Sequence, residues 1–137
     1  MATANELITR ALRRLGILAE AETPSANTAS DCLVLFNEMM AGFPTRGIHY
    51  AHTTLASGSS TVNVPDEQTR NVMLMLCQEI ADDFSITIGS FLAGSIKDAK
   101  DALVAYYYTI PPAVGDRALM RRTSGYGLWN IRSGGDE

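Results

Sequence analysis

Three carboxylates lie close together in the second half of the chain, at Glu79, Asp82 and Asp83. A protonated carboxyl beside an ionised one can serve general acid and general base catalysis, which would make the chain a small hydrolase. The surrounding residues follow a helical pattern, however, and charged side chains commonly form the solvated face of a helix. We therefore prefer the solvated face and keep hydrolysis as an alternative.

Histidine and cysteine offer two further kinds of chemistry. His49 and His52 are close enough in sequence to bind one metal ion, but no third ligand stands at a diagnostic spacing. Cys32 and Cys77 lie within apolar helical patterns, where a thiol is buried and unreactive. The sequence also lacks a phosphate-binding glycine loop and a Gly-x-Ser-x-Gly nucleophile elbow. These patterns predict a protein that is not an enzyme and holds no cofactor or metal.

Arginine is concentrated in two places. Arg10, Arg13 and Arg14 share one face of the first predicted helix, which fits a solvated surface or, as an alternative, the DNA-contacting face of a regulator. Residues 116–132 contain four arginines and one acid, a net charge of +3. Residues 1–112 contain seven basic and twelve acidic residues, a net charge of −5. This acidic body excludes a protein whose whole surface binds nucleic acid.

The C-terminal region combines its arginines with large apolar residues, including the single tryptophan of the chain. Tryptophan, tyrosine and arginine are enriched in the hot spots of protein interfaces. We therefore predict that this region docks on a partner, with folding back onto the same subunit as the alternative. The predicted partner-binding residues are Arg117, Leu119, Met120, Arg121, Arg122, Tyr126, Leu128, Trp129, Ile131 and Arg132.

Four stretches with apolar residues at three- and four-residue steps predict the elements that position these side chains. The predicted helices cover about residues 4–15, 24–42, 66–88 and 90–107. Capping signals set three of the starts: a capping box at Thr3, an N-cap at Thr23 before Pro24, and an N-cap at Asp66. In the fourth helix, Tyr106 is predicted to face inward, and Lys97 and Asp101 to form a surface pair.

Val34 and Leu35 fall off the apolar stripe of the second helix. This pattern fits burial within the chain or a contact with a neighbouring subunit, and the second interpretation makes both residues candidate subunit contacts. Two short stretches rich in β-branched residues flank a Gly/Ser turn at about residues 52–64, which predicts a small β-hairpin.

The whole chain of 137 residues, 46% hydrophobic and 19% charged, has the size and composition of one packed domain. We predict an all-α fold: a four-helix bundle with a small β-hairpin insertion and an extended C-terminal arm. The helical domain covers residues 1–112 and the arm covers residues 113–137. The longest apolar run, residues 72–77, is too short to span a membrane, and no signal peptide is recognisable.

The order of these parts resembles a known family. The opening helix reads ELITRALRRLGI over residues 6–17, followed by Glu-Thr-Pro-Ser at 22–25 and DCLVLFNEMM at 31–40, and then by a Gly47-Ile48 turn. The sequence resembles bacteriophage head-to-tail connectors of the packaged-DNA-stabilisation, or tail accessory factor, family. Residues 4–48 carry the resemblance most clearly, and the helical pair at 66–107 agrees with it by pattern.

The resemblance implies a structural role in the virion. Subunits of such proteins form a dodecameric ring beneath the portal protein, close the DNA-filled head and provide the platform for a tail or nozzle protein. The extended C-terminal segment lies along the portal or a neighbouring subunit, and packaged DNA passes through the channel without sequence-specific binding. The expected location is the head-tail junction of the virion, and the host cytoplasm during assembly. A head-completion connector of a long-tailed phage and a phage hydrolase acting on the cell wall remain alternatives.

Overall fold

The computed structural model describes residues 1–108. This part of the chain is all-α and confirms the four predicted helices. They are α1 (Ala4–Arg14), α2 (Ala26–Ala41), α3 (Asp66–Asp83) and α4 (Ser90–Tyr106), with a short 3₁₀ turn at Phe43–Arg46. The predicted C-terminal arm lies outside the described residues.

Helix α3 is the centre of the fold, because α1, α2 and α4 all pack on it. Its run of six apolar residues, 72–77, is buried along its whole length, as expected for a helix that is covered on several sides. Helix α1 also packs on α2, whereas α3 is the only described helix that α4 contacts. The outer side of α4 is therefore open among residues 1–108.

Local signals at the helix starts explain most of the boundaries. The capping box of α1 forms as predicted: the Thr3 hydroxyl accepts the Glu6 amide proton, and the Glu6 carboxylate accepts the Thr3 amide proton at 2.9 Å. Helix α2 begins after Ser25 rather than after Thr23, so the predicted N-cap is wrong. The Ser25 hydroxyl accepts the amide proton of Thr28 at 3.3 Å and satisfies one of the amides that a helix start leaves unpaired.

Four further details of the predicted helices are wrong. Asp66 is the first residue of α3 and not its N-cap, which is Pro65. Within residues 1–108, Lys97 and Asp101 form no ion pair. Helix α3 ends at Asp83, not near Ile88, since Ser85 adopts a left-handed conformation with φ of 55° and the Ile86 amide turns back to the Ala81 carbonyl at 2.8 Å. The β-branched residues that follow favour this early end. In α4, Tyr106 is 46% exposed, and the neighbouring Tyr107 is the partly buried residue that packs against the core.

The predicted β-hairpin at 52–64 is also wrong. Residues 47–65 form no strand ladder; their one β-bridge joins Thr61 to Thr3, which lies outside the segment. The Ser60 and Gly58 carbonyls accept the Ala4 and Asn5 amide protons at 3.1 and 2.8 Å. The segment therefore caps the start of α1 instead of pairing with itself, because the first amides of a helix have no partner within the helix.

The relative direction of the helices follows from named contacts. The Val62 amide donates to the Ala2 carbonyl just before α1 and α3 begin, and Cys77 in α3 contacts the Ala11 carbonyl in α1, so these helices run in the same direction. Tyr106, at the end of α4, lies beside Glu67, at the start of α3. Helices α3 and α4 are thus antiparallel.

Candidate functional site

The most exposed large aliphatic side chain of the described helices is Val34, on the outer face of α2. Val34 is 54% exposed, and Asp31 and Glu38 lie one turn before and one turn after it on the same exposed stripe. Leu35 is partly buried and packs against the core, which makes it less available for a contact with another subunit. Val34 and Leu35, both predicted as subunit contacts, therefore differ in exposure.

Helix α1 presents a basic face. Arg10, Arg13 and Arg14 are all exposed. Arg13 lies opposite the buried residues of α1, whereas Arg14 follows the buried Ala11 by less than one turn and lies near Cys77 of α3. Arg13 donates a hydrogen bond to the Glu22 carbonyl at 3.2 Å, so this side chain is anchored to the loop that follows the helix. Among residues 1–108, none of the three arginines forms an ion pair. Arg10 and Arg13 also line a shallow depression together with Asn5 and Glu6.

The three carboxylates proposed for acid and base chemistry do not share one environment. Glu79 accepts a hydrogen bond of 2.7 Å from the Arg46 guanidinium, and the two side chains line a polar depression together with Asp82. Asp83 is exposed and lies near Cys32 in α2. The Glu79 carboxylate is thus held in an ion pair with Arg46. The described geometry therefore supports a surface ion pair at this position.

The two histidines also have different surroundings. His49 is exposed, whereas His52 is partly buried between Phe36 and Tyr50. Burial lowers the pKa of His52 below its ordinary value. Within residues 1–108, no group of three or more His, Cys, Asp or Glu side chains is arranged to hold a metal ion.

Asn37 is the residue that sequence reasoning missed. Its amide nitrogen donates to the Leu55 carbonyl at 3.1 Å, and its Oδ1 accepts the Leu55 amide proton at 2.9 Å. These two bonds fix the orientation of the amide, so His52 Nε2, 3.0 Å from the same oxygen, is the donor in the third bond. In the sequence, this role is indicated by the position of Asn37, a polar residue between the apolar Phe36 and Met39, which are both buried.

Both cysteines are buried and free, as their sequence contexts predicted. Burial raises the pKa of Cys32 to about 11, and the charges of Asp31 and Asp83 add to this shift. Burial also raises the pKa of Cys77 to about 11. A thiol with such a pKa is protonated at neutral pH and is a poor nucleophile. Neither residue has the properties of a catalytic cysteine.

The ten predicted partner-binding residues between Arg117 and Arg132 lie outside the described residues. A different exposed apolar residue, Phe91, stands at the start of α4 and is 84% exposed. Phe91 lies one residue before Leu92, which packs against the core, so in the sequence it has the pattern of the beginning of an apolar stripe.

None of the four described helices is long and apolar enough to cross a membrane. A comparison with protein-family models finds no matching family, and a search of curated proteins finds no significant match.

Proposed function

We propose that this protein is a structural adaptor at the head-tail junction of a bacteriophage. In this proposal, copies of the chain form a ring beneath the portal protein, close the DNA-filled head and provide the platform for a tail or nozzle protein. The protein acts by contact alone and carries out no reaction. The head-completion connector of a long-tailed phage is the nearest variant of the same proposal.

The observation that carries the proposal is the exposed Val34. Helix α2 belongs to the segment that resembles the connector family, and its other large apolar side chains are buried or packed against the core. Placing an aliphatic side chain in water has a cost that burial at an interface removes, at about 25 cal/mol per Å². A contact between neighbouring subunits gives this residue such an interface.

The charge distribution supports a protein that surrounds DNA without holding it. Residues 1–112 carry seven basic and twelve acidic residues, so the helical body is negatively charged. A negative channel wall repels phosphates and leaves the DNA free to move during ejection. The basic, aromatic-containing residues 116–132 are the part of the chain suited to docking on acidic grooves of the portal.

The copy number of the protein in purified, DNA-filled particles tests the proposal. Quantitative mass spectrometry of such particles measures the ratio of this protein to the portal protein. A ratio near one is expected for a ring stacked on the portal. Absence of the protein from filled particles would overturn the proposal and favour the hydrolase or the DNA-binding regulator.

A further inference from the structure

We propose that neighbouring copies of this chain contact each other head to tail, with the arginine face of α1 in one copy against the Val34 stripe of α2 in the next. This inference rests on the proposed function, because it identifies the surfaces that hold the ring together. The arginine face is defined by Arg10 and Arg14, and the Val34 stripe by Asp31, Val34 and Glu38.

The Val34 stripe is an apolar contact point between two unpaired negative charges. Asp31 and Glu38 are exposed, and among residues 1–108 neither forms an ion pair or accepts a side-chain hydrogen bond. They are seven residues apart, about 10 Å along the helix axis. A partner that covers Val34 must therefore also meet a carboxylate on either side of it.

The arginine face of α1 has the complementary arrangement. Arg10 and Arg14 are exposed, unpaired within the described part of the chain, and one turn apart on the helix, about 6 Å along its axis. Each guanidinium lies at the end of a flexible stem, so the two groups can spread to the carboxylate spacing of the stripe. The aliphatic stems of Arg10 and Arg14 offer apolar surface to Val34.

The charges also determine the symmetry of the contact. Two Val34 stripes repel each other, and so do two arginine faces, which disfavours a two-fold pair formed through like surfaces. Each copy instead offers one surface of each kind. A contact between two different surfaces leaves one of each free, so it propagates from copy to copy and closes into a ring when the rotation allows.

The contact is small, and its strength depends on the assembly. One valine between surface charges provides far less than the ~1,600 Å² that a stable pair of proteins buries. Exposed ion pairs each contribute little and weaken with salt. The free chain is therefore expected to associate weakly and in a salt-dependent manner, and binding to a common portal raises the effective concentration of neighbouring copies.

Charge reversal of each surface tests this arrangement. The first variant combines Asp31→Lys and Glu38→Lys, and the second combines Arg10→Glu and Arg14→Glu. Each variant alone carries two surfaces of the same sign, so its self-association should fall about tenfold or more. In an equimolar mixture the two variants have complementary surfaces again, and association should return as alternating copies.

Sedimentation velocity of the full chain at up to millimolar concentration and low salt gives the readout, with circular dichroism as the check of folding. Two α4 variants serve as matched controls: Asp98→Lys with Asp101→Lys, and Lys97→Glu with Lys100→Glu. They change the net charge equally at exposed positions outside both surfaces and should associate like the unmodified chain.

Three results would overturn the inference: no self-association of the unmodified chain, undiminished association of either charge-reversal variant alone, or a mixture that fails to recover. The proposed function is tested separately by the copy ratio in particles. A ratio near one together with unaffected charge-reversal variants would reject these surfaces and retain the adaptor.

Discussion

Asn37 connects helix α2 to the long segment between the 3₁₀ turn and α3. Its side-chain amide forms hydrogen bonds with both the N–H and the C=O group of Leu55 and accepts a third hydrogen bond from His52. These bonds attach the segment to α2 at one point. A second point lies at Tyr50, whose hydroxyl donates to the Asn63 carbonyl at 3.0 Å. These bonds replace the strand ladder that the predicted hairpin would have provided.

Replacement of Asn37 should be costly, since it leaves the two Leu55 backbone groups without their partner. We expect Asn37→Leu to lower the free energy of unfolding by about 1–3 kcal/mol. Chemical denaturation measures this change. Asn27→Ala, at an exposed position of the same helix, is the control and should change the value by less than about 0.5 kcal/mol. Equal effects of the two substitutions would show that the Leu55 bonds do not matter for stability.

His52 should make stability depend on pH below neutrality. Burial lowers its pKa in the folded protein, so the unfolded chain takes up the proton at a higher pH than the folded chain. The contribution of this residue is therefore fully present above the ordinary histidine pKa of about 6.5 and declines as the pH falls below that value. Thermal unfolding between pH 7.5 and 5.5 should show a smaller loss of midpoint temperature for His52→Gln than for the unmodified chain. His49→Gln, at an exposed position, is the matched control for the substitution itself.

At the scale of the elements, the start of α2 offers a test of local structure. The sequence contains two adjacent capping signals, Thr23 before Pro24 and Ser25 before Ala26, and the structure uses the second. Ser25→Ala should therefore lower the free energy of unfolding by about 1 kcal/mol, whereas Thr23→Ala should have little effect. Urea denaturation of both variants measures the difference. A larger effect at Thr23 would place the helix start two residues earlier.

The elements also show how much could be predicted from sequence. Helix existence and the buried run at 72–77 followed from local apolar periodicity, which directly reports which side of a helix is covered. The hairpin prediction failed because it considered the β-branched stretches only against each other. The carbonyls of Gly58 and Ser60 instead accept hydrogen bonds from the unpaired amides at the start of α1. These are tertiary contacts that no short sequence window contains.

The candidate surfaces were predictable to different degrees. The arginine face of α1 follows directly from helical spacing, and Val34 was identified as a residue off the apolar stripe. The distinction between the exposed Val34 and the partly buried Leu35 required the packing of α2 on α1 and α3. Asn37 was missed because its partners lie 15 and 18 residues away in an irregular segment.

At the scale of the whole molecule, the chain divides into an acidic helical body and a basic C-terminal region that contains Trp129. The proposed adaptor uses both: the body forms the ring, and the C-terminal region binds the portal. Trp129→Ala should reduce the affinity for isolated portal protein by about 2 kcal/mol, or roughly thirtyfold, which is the typical cost of removing an aromatic hot spot. Surface plasmon resonance with immobilised portal measures this loss.

Two controls make the tryptophan experiment specific. Trp129→Phe retains a large aromatic ring and should keep most of the affinity, whereas a general loss of folding would affect both variants. Thermal unfolding of Trp129→Ala should give the midpoint of the unmodified chain if the residue acts through the portal. A lowered midpoint with unchanged portal affinity would instead indicate that Trp129 covers its own subunit. That result would reject the docking role of residues 113–137. It would not affect the proposed contacts of the ring, which the charge-reversal mixture tests separately.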